Sequence, residues 1–183
     1  MVKKCLYQLL NSRLSLSAVT HLETLDQLET FAEHTRSSLL YLALAITNQS
    51  SIDADHAASH LGRCGGLVGA LRATPYLTSR NQLLLPQDIL SKHKVSQTDV
   101  LRARDVVKEP VFEIASQANI HLEKAKALIS KLPKEAAICF LPLGIYSHQL
   151  ELLRRCDFNV FHSSFQKKNP LLAWTLWKTR RRL

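Results

Sequence analysis

Two histidines, His56 and His60, stand four residues apart, a spacing that places both imidazoles on one face of a helix. Asp53 and Asp55 lie nearby, so this segment contains the residue types of a metal site. Arg63 follows within one turn, and its positive charge would repel a cation. The sequence therefore favours a structural or surface role for the pair over metal binding, and no metal or cofactor is expected.

The four cysteines are dispersed along the chain, at Cys5, Cys64, Cys139 and Cys156. No CxxC pair is present, which argues against a zinc ribbon and against a thioredoxin-like site. Dispersed thiols are typical of a reducing compartment, and we expect these four to be small, buried apolar side chains.

Composition indicates one helical domain with a sizeable core. The chain has 183 residues, of which 46% are apolar and only five are glycine. The net charge of +9 fits binding to nucleic acid or to an anionic membrane, a matrix-type compartment that contains many basic proteins, or simply a solvated basic surface. No pattern of an RNA-binding domain accompanies the charge, so nucleic acid is not expected as a partner. No apolar run is long enough to predict a membrane-spanning helix.

The first 22 residues allow two interpretations. They contain Lys3, Lys4 and Arg13 and no acidic residue, which is the composition of a mitochondrial transit peptide. They also fit an ordinary helix whose leucines face a core, namely Leu6, Leu9, Leu10, Leu14 and Leu16. Composition alone leaves both open.

Helical spacing predicts a helix over residues 25–46, with Thr24 as its N-cap. Its last part, Leu39–Ile46, is apolar almost all round and is expected to be buried on several sides. A polar loop over residues 47–51 follows, and Asp53 is a candidate cap for the next helix.

The second helix has an apolar stripe, consisting of Ala57, Leu61, Cys64, Val68 and Leu71. It also contains four of the five glycines, Gly62, Gly65, Gly66 and Gly69. Each interior glycine costs a helix about 1 kcal/mol relative to alanine, so either another backbone comes close or the face lines a cavity. Pro75 is expected to stop or kink this helix.

Further helices are expected downstream. One opens at Pro86, and Ser96 with Asp99 forms a capping pair for another. A long helix begins at Pro110 and ends by Pro133, with a stripe of Val111, Ala115, Ala118, Leu122, Ala125 and Ile129. Pro142 and Gly144 interrupt a helical pair, and Asn169-Pro170 starts the final helix.

The order of four short segments, Ala57-Ala58, Leu61-Gly62, Leu71-Arg72 and Leu85-Pro86-Gln87-Asp88, resembles the second conserved segment of the squalene and phytoene synthases. The stretch Leu25–Thr35 also resembles the preceding helix of that family. The similarity covers about Leu25 to Leu141 and continues more loosely to the C-terminus. It implies an all-α, isoprenoid-synthase-like helical fold.

In that family an Asp-rich DxxxD motif follows Leu-Arg, and Mg²⁺ held there neutralises the departing diphosphate. The matching positions in this chain are Ala73 and Leu77, which cannot bind a metal, and Pro75 lies between them. The resemblance therefore implies a catalytically silent protein with no catalytic and no metal-binding residue. Because position 73 lies one turn beyond Gly69, the glycine face is expected to line the family's cavity.

The family's first Asp-rich motif should precede the Leu25 helix, and none occurs there. We therefore expect residues 1–183 to be the C-terminal part of a single squalene/phytoene synthase-like domain, with residues 1–22 either transit-like or an internal helix.

Five longer segments resemble one subfamily, the mitochondrial assembly factors of respiratory complex I; they are Ser37–Leu42, Ala54–His60, Leu71–Tyr76, Ile114–Ala118 and Asp157–His162. This resemblance implies a non-enzymatic protein on the matrix side of the inner membrane that contacts complex I subunits or assembly intermediates at an early stage. The alternative is a prenyl-diphosphate-binding, lipid-binding or transferase-type enzyme that keeps the family pocket. Arg72, Tyr76 and Arg80 would then hold an anionic head group.

The final helix carries Trp174 and Trp177 next to Arg180, Arg181 and Arg182. This pattern is typical of a helix lying on an anionic membrane surface, which predicts peripheral contact with the inner membrane. A last core helix whose arginines complement its dipole fits equally well.

Overall fold

The computed structural model describes residues 2–18, 22–102, 107–167 and 169–182, and within these ranges the chain contains helices and no strands. The first half contains α1 (Val2–Ala18), α2 (Leu25–Ala32), α3 (Ser38–Ile46) and α4 (Ile52–Thr78), with a π-helical turn, Glu33–Ser37, between α2 and α3. The second half contains α5 (Gln87–Lys92), α6 (Gln97–Arg102), α7 (Lys108–Ile129), α8 (Lys134–Ala137), a 3₁₀ turn (Ile138–Phe140), α9 (Pro142–Arg155), α10 (Ser163–Gln166) and α11 (Leu172–Arg182).

The core is centred on α4 and α7, which pack along each other. Every residue of the two predicted apolar stripes is buried, which confirms both. Burying a side chain such as Leu61 or Leu122 stabilises the fold by about 1.5–3 kcal/mol. Further sides of α4 contact α2, the π-helical turn and α9, so α4 is the helix around which the others assemble.

Local capping confirms several helix starts and corrects one. The Thr24 hydroxyl accepts the Gln27 amide at 3.2 Å, and Ser96 and Asp99 bond reciprocally at 2.9 and 3.1 Å. The expected cap at Asp53 is wrong, because Ser51 Oγ accepts the Ala54 amide and the helix begins at Ile52. α7 begins at Lys108, two residues earlier than predicted.

Of the two effects expected of Pro75, the stop is not found, since α4 continues to Thr78. The missing amide hydrogen of a proline removes one main-chain hydrogen bond, and the last turn forms without it. Both positions of the family's metal motif therefore lie within α4.

The apolar face of α3 is only half covered, so its expected burial on several sides is wrong. Leu40 and Leu44 are buried, whereas Leu39 is 49% exposed and Ile46 is 83% exposed. The cause is the π-helical turn, which uses one more residue per turn than an α-helix and so shifts the residues that follow around the axis.

α1 packs on α3 and on the π-helical turn, and Cys5 is the buried side chain among those described in this helix. The interpretation in which its leucines face a core is wrong for Leu6, Leu10 and Leu14, which are exposed. Leu9 is half-buried, and the side chain of Leu16 lies outside the described residues.

The four cysteines are free thiols. Cys5 and Cys64 are buried as expected, whereas Cys139 and Cys156 are only half-buried. No single helix in the described ranges is long and apolar enough to cross a membrane; the pair Lys134–Phe140 and Pro142–Arg155, bent by 45°, meets that length and composition together.

Candidate functional site

The positions that match the family's metal motif, Ala73 and Leu77, lie half-buried near the C-terminal end of α4. Neither side chain offers an oxygen to a cation. In the described part of the chain, no three His, Cys, Asp or Glu side chains are grouped so that they could share a metal ion.

Gly62 and Gly66 of α4 are close helix contacts and do not line a cavity. A methyl group added at Gly62 would overlap the main chain at Ser37, and one at Gly66 would overlap the Ala32 side chain. The expectation that this face lines the family's cavity is therefore wrong for both positions. Of the two explanations that the sequence left open, close backbone approach is the one found here.

The other two glycines differ from each other. A methyl group at Gly65 would overlap the Tyr146 ring of α9, so this glycine also serves packing. At Gly69 the nearest such atom is Arg36 Nη2, 3.6 Å away, which is an ordinary contact distance. Only this glycine has room for a larger side chain.

Arg72, Tyr76 and Arg80, the predicted anion-binding residues, follow one another at four-residue intervals along α4 and the turn after it. Arg72 Nη2 donates to the Gln166 carbonyl at 3.5 Å. The Arg80 guanidinium lies over the Tyr76 ring, 4.6 Å from its centre, and both side chains are exposed. The three side chains thus lie along one edge of the molecule, and their role in binding an anion stays a prediction.

A polar cluster that the sequence did not reveal lies where α2, the π-helical turn, α4 and α7 meet. We define the polar cluster by its residues Glu29, Glu33, Tyr41, Ser59, His60, Arg63, Gln117 and His121. Glu33 accepts hydrogen bonds from Tyr41 at 2.6 Å, Ser59 at 2.8 Å and Arg63 at 3.1 Å. Tyr41 belongs to α3, and Ser59 and Arg63 lie one turn apart in α4, so this one carboxylate links the π-helical turn to two helices.

Glu29 continues the polar cluster towards α7. It accepts from Arg63 Nη1 at 3.3 Å and from Gln117 Nε2 at 3.0 Å. His121 Nε2 lies 3.3 Å from Glu29 Oε2, close enough for an electrostatic contact, but without the geometry of a hydrogen bond. His121 is buried, and its Nδ1 lies 2.9 Å from His60 Nδ1.

Burial and charge set the protonation of these groups. Burial raises the pKa of Glu33, but the hydrogen bonds from Tyr41, Ser59, Arg63 and Ser37 outweigh it, so the pKa lies below its ordinary value. Burial first, and then the neighbouring Glu33 carboxylate, raise the pKa of Tyr41. Burial, followed by His121, Lys124 and Arg63, lowers the pKa of His60. The cluster thus holds an ionised Glu33 beside a protonated Tyr41 and disfavours the charged form of His60.

His56 and His60 do not form the pair that their spacing could have formed in a metal site. His60 turns to His121 of α7, whereas His56 is exposed at the start of α4. The available sequence signal was the pair Glu29 and Glu33, four residues apart in the predicted helix over residues 25–46. No sequence pattern pointed to His121, because its partner lies 61 residues away.

This order of helices is the fold of the squalene synthases. The chain superposes on a dehydrosqualene synthase in complex with a ligand at a TM-score of 0.81 and 16% identity, covering 97% of this chain and 64% of that one. For a squalene synthase from Alicyclobacillus acidocaldarius the TM-score is 0.74 at 15% identity, covering 85% of this chain and 60% of the other.

The squalene/phytoene synthase family model matches residues 1–178, so the chain belongs to that family. It is 46% identical to NADH dehydrogenase (ubiquinone) complex I, assembly factor 6, of Rattus norvegicus over 84% of this chain and 47% of the relative. The corresponding protein of Drosophila melanogaster is 36% identical over 86% of this chain and 48% of the relative. The chain spans about half the length of the curated relatives it matches.

Proposed function

We propose that this chain serves as a non-enzymatic assembly factor for mitochondrial complex I, NADH:ubiquinone oxidoreductase. The observation that carries the proposal is the 46% identity to a protein named as such an assembly factor. Ala73 and Leu77, which stand where the synthases have metal-binding aspartates, support it, because without them Mg²⁺ has no ligands at this position.

The proposed setting is the matrix side of the mitochondrial inner membrane, and the proposed partners are complex I subunits or early assembly intermediates. Protein contacts, and not a diffusible product, would carry the function. The close packing of Gly62 and Gly66 against the neighbouring helices supports this view, because a prenyl chain has no room between them.

Peripheral contact with an anionic membrane is proposed for α11. Its inner side packs on α9, where a methyl group at Gly144 would overlap Thr179. Trp174 and Trp177 are exposed and stack with their ring centres 4.6 Å apart, and Arg181 lies 3.9 Å from the centre of the Trp177 ring. Exposed tryptophans beside cations suit the boundary between lipid headgroups and water. The side chain of Arg182 lies outside the described residues.

The assignment is tested by depleting the protein in cells and measuring complex I on native gels. We expect complex I to fall and to recover when the full-length form is restored. Recovery with an Arg72→Ala/Arg80→Ala variant would indicate that diphosphate binding is not needed. Normal complex I after complete depletion would refute the assignment.

A second candidate function is binding of a prenyl diphosphate or another anionic lipid at Arg72, Tyr76 and Arg80. The alignment of the three side chains along one edge favours it. Incubation of the purified protein with prenyl diphosphates and Mg²⁺ should give binding without product if this candidate is right. Metal-dependent turnover would instead identify an enzyme and contradict the first proposal.

A further inference from the structure

Two adjoining recesses run along the outer side of α7. One, of about 650 Å³, lies between α7, α9 and α11, and the other, of about 590 Å³, lies between α7 and α9. Lys126 and Ser147 line both, so the recesses meet at these two residues. We call the combined depression the α7–α9 groove. It is separate from the α4 positions that match the metal motif.

The end of the groove near α11 is basic. Lys126, His148 and Lys178 line it. The Lys126 ammonium is bound to Glu123 at 2.7 Å, whereas Lys178 has no ion pair within the described ranges. Trp174 forms part of the wall, and its side chain is 56% exposed. Cationic and hydrogen-bonding groups at this end match a phosphate-bearing head group.

The other end is mainly apolar. Ile120, Leu150 and Phe158 line it, and Phe112 packs edge-on against Phe158 with ring centres 4.9 Å apart. Phe112 and Ile120 are 49% and 47% exposed, so apolar surface remains in contact with water along the groove. The charges at this end neutralise each other, because Arg154 donates to Glu151 at 2.9 Å.

We propose that the α7–α9 groove binds a membrane phospholipid with an anionic headgroup. The phosphate lies against Lys178 and His148, and one acyl chain follows α7 towards Phe112, a distance of about 21 Å from Lys126 at 1.5 Å per residue. Charge at one end and apolar surface along the rest match an amphiphile better than a partner helix, whose ends and exposed face would also need polar contacts. The inference rests on the proposed contact of α11 with the membrane for the source of the lipid.

The test measures binding of the full 183-residue chain to three probes: inorganic phosphate, short-chain dihexanoyl phosphatidylglycerol, and phosphatidylcholine vesicles with or without phosphatidylglycerol. We expect the short-chain lipid to bind more tightly than phosphate, because burial of its chains adds to the headgroup contact. Lys178→Glu should weaken binding of the short-chain lipid by at least about fivefold, since one basic residue near an anionic headgroup contributes about 1 kcal/mol. Ile120→Asp, at the apolar end, should weaken binding of the short-chain lipid and leave binding of phosphate unchanged.

Lys124→Glu is the matched control for Lys178→Glu. It makes the same charge change, and Lys124 lies at an exposed position of α7 outside the groove. Circular-dichroism melting checks that each variant is folded. The groove inference is wrong if Lys124→Glu weakens binding of the short-chain lipid as much as Lys178→Glu does. It is also wrong if phosphate binds as tightly as that lipid. Vesicle binding that both groove variants leave unchanged would overturn the inference while the membrane contact of α11 stands. Binding of the short-chain lipid without vesicle binding would support the groove and refute the membrane contact.

Discussion

The Nδ1 atoms of His60 and His121 lie 2.9 Å apart, so α4 and α7 share one proton between two imidazoles. One ring must donate and the other must accept, since two protonated nitrogens or two lone pairs would repel each other. His121 Nε2 lies 3.3 Å from the Glu29 carboxylate. The pair therefore links the two central helices through side chains that are 61 residues apart in the chain.

The first prediction is that the free energy of unfolding falls as the pH drops below about 6.5. Because the pKa of His60 in the folded protein lies below its ordinary value near 6.5, the unfolded chain binds a proton that the folded chain does not. Stability is then complete above the unfolded pKa and decreases below it, down to the folded pKa. Urea unfolding at several pH values measures this. His60→Gln should flatten the dependence, whereas His56→Gln, at an exposed position, should leave it intact.

The second prediction concerns Arg63, which contacts both Glu29 and Glu33. Arg63→Met should lower the free energy of unfolding by about 1–3 kcal/mol, because two partly buried carboxylates lose their shared cation. The loss should be smaller than for a fully buried ion pair, since 35% of the Arg63 side chain is exposed. Arg154→Ala removes an ion pair at the surface and serves as the control. An equal loss in both variants would contradict the prediction.

The third prediction separates two glycines of one helix. Gly62→Ala should destabilise the protein by about 1–3 kcal/mol, because the new methyl group overlaps the main chain at Ser37. Gly69→Ala should be neutral or stabilising by up to about 1 kcal/mol, since the new methyl group would lie 3.6 Å from Arg36 Nη2 and alanine favours helix. Thermal melting of both variants measures this difference. If Gly69→Ala destabilises the protein more than Gly62→Ala, the packing around these glycines is different from that described above.

The fourth prediction concerns α11 at a membrane. Replacing Arg180, Arg181 and Arg182 with alanine should weaken flotation with vesicles that contain anionic lipid, and more strongly at low salt, where charges are less screened. Trp174→Ala/Trp177→Ala should weaken flotation at every salt concentration, because the lost contribution is apolar. If neither variant changes flotation, α11 serves only to pack against α9.

The helical spacing of the apolar residues was sufficient to predict the core. The stripes of α4 and α7 follow the helical repeat, so Leu61, Leu71 and Leu122 could be placed inside from the sequence alone. The same rule put Leu39 and Ile46 inside and was wrong for both, because it assumes an uninterrupted α-helix.

The polar cluster could not be predicted in the same way. Its contacts join residues far apart in the chain, such as Ser59 with Glu33 and Gln117 with Glu29. A single sequence gives only local spacing, and local spacing paired His60 with His56. Likewise, the α7–α9 groove depends on where α11 packs, which is decided by the contact between Gly144 and Thr179.

The π-helical turn makes the length of its segment as important as its composition. In an unbroken α-helix, the line through Leu28 and Ala32 would continue through Leu39 and Ala43, whereas the buried residues are Leu40 and Leu44. Deleting one residue, such as His34, would let the chain form regular α-helix and keep Leu40 and Leu44 on the line of Leu28 and Ala32, whereas inserting one residue would turn them about 100° away from the core. A substitution here changes one side chain, but an insertion changes the facing of every residue in α3. We therefore expect this segment to tolerate substitutions and a one-residue deletion far better than a one-residue insertion.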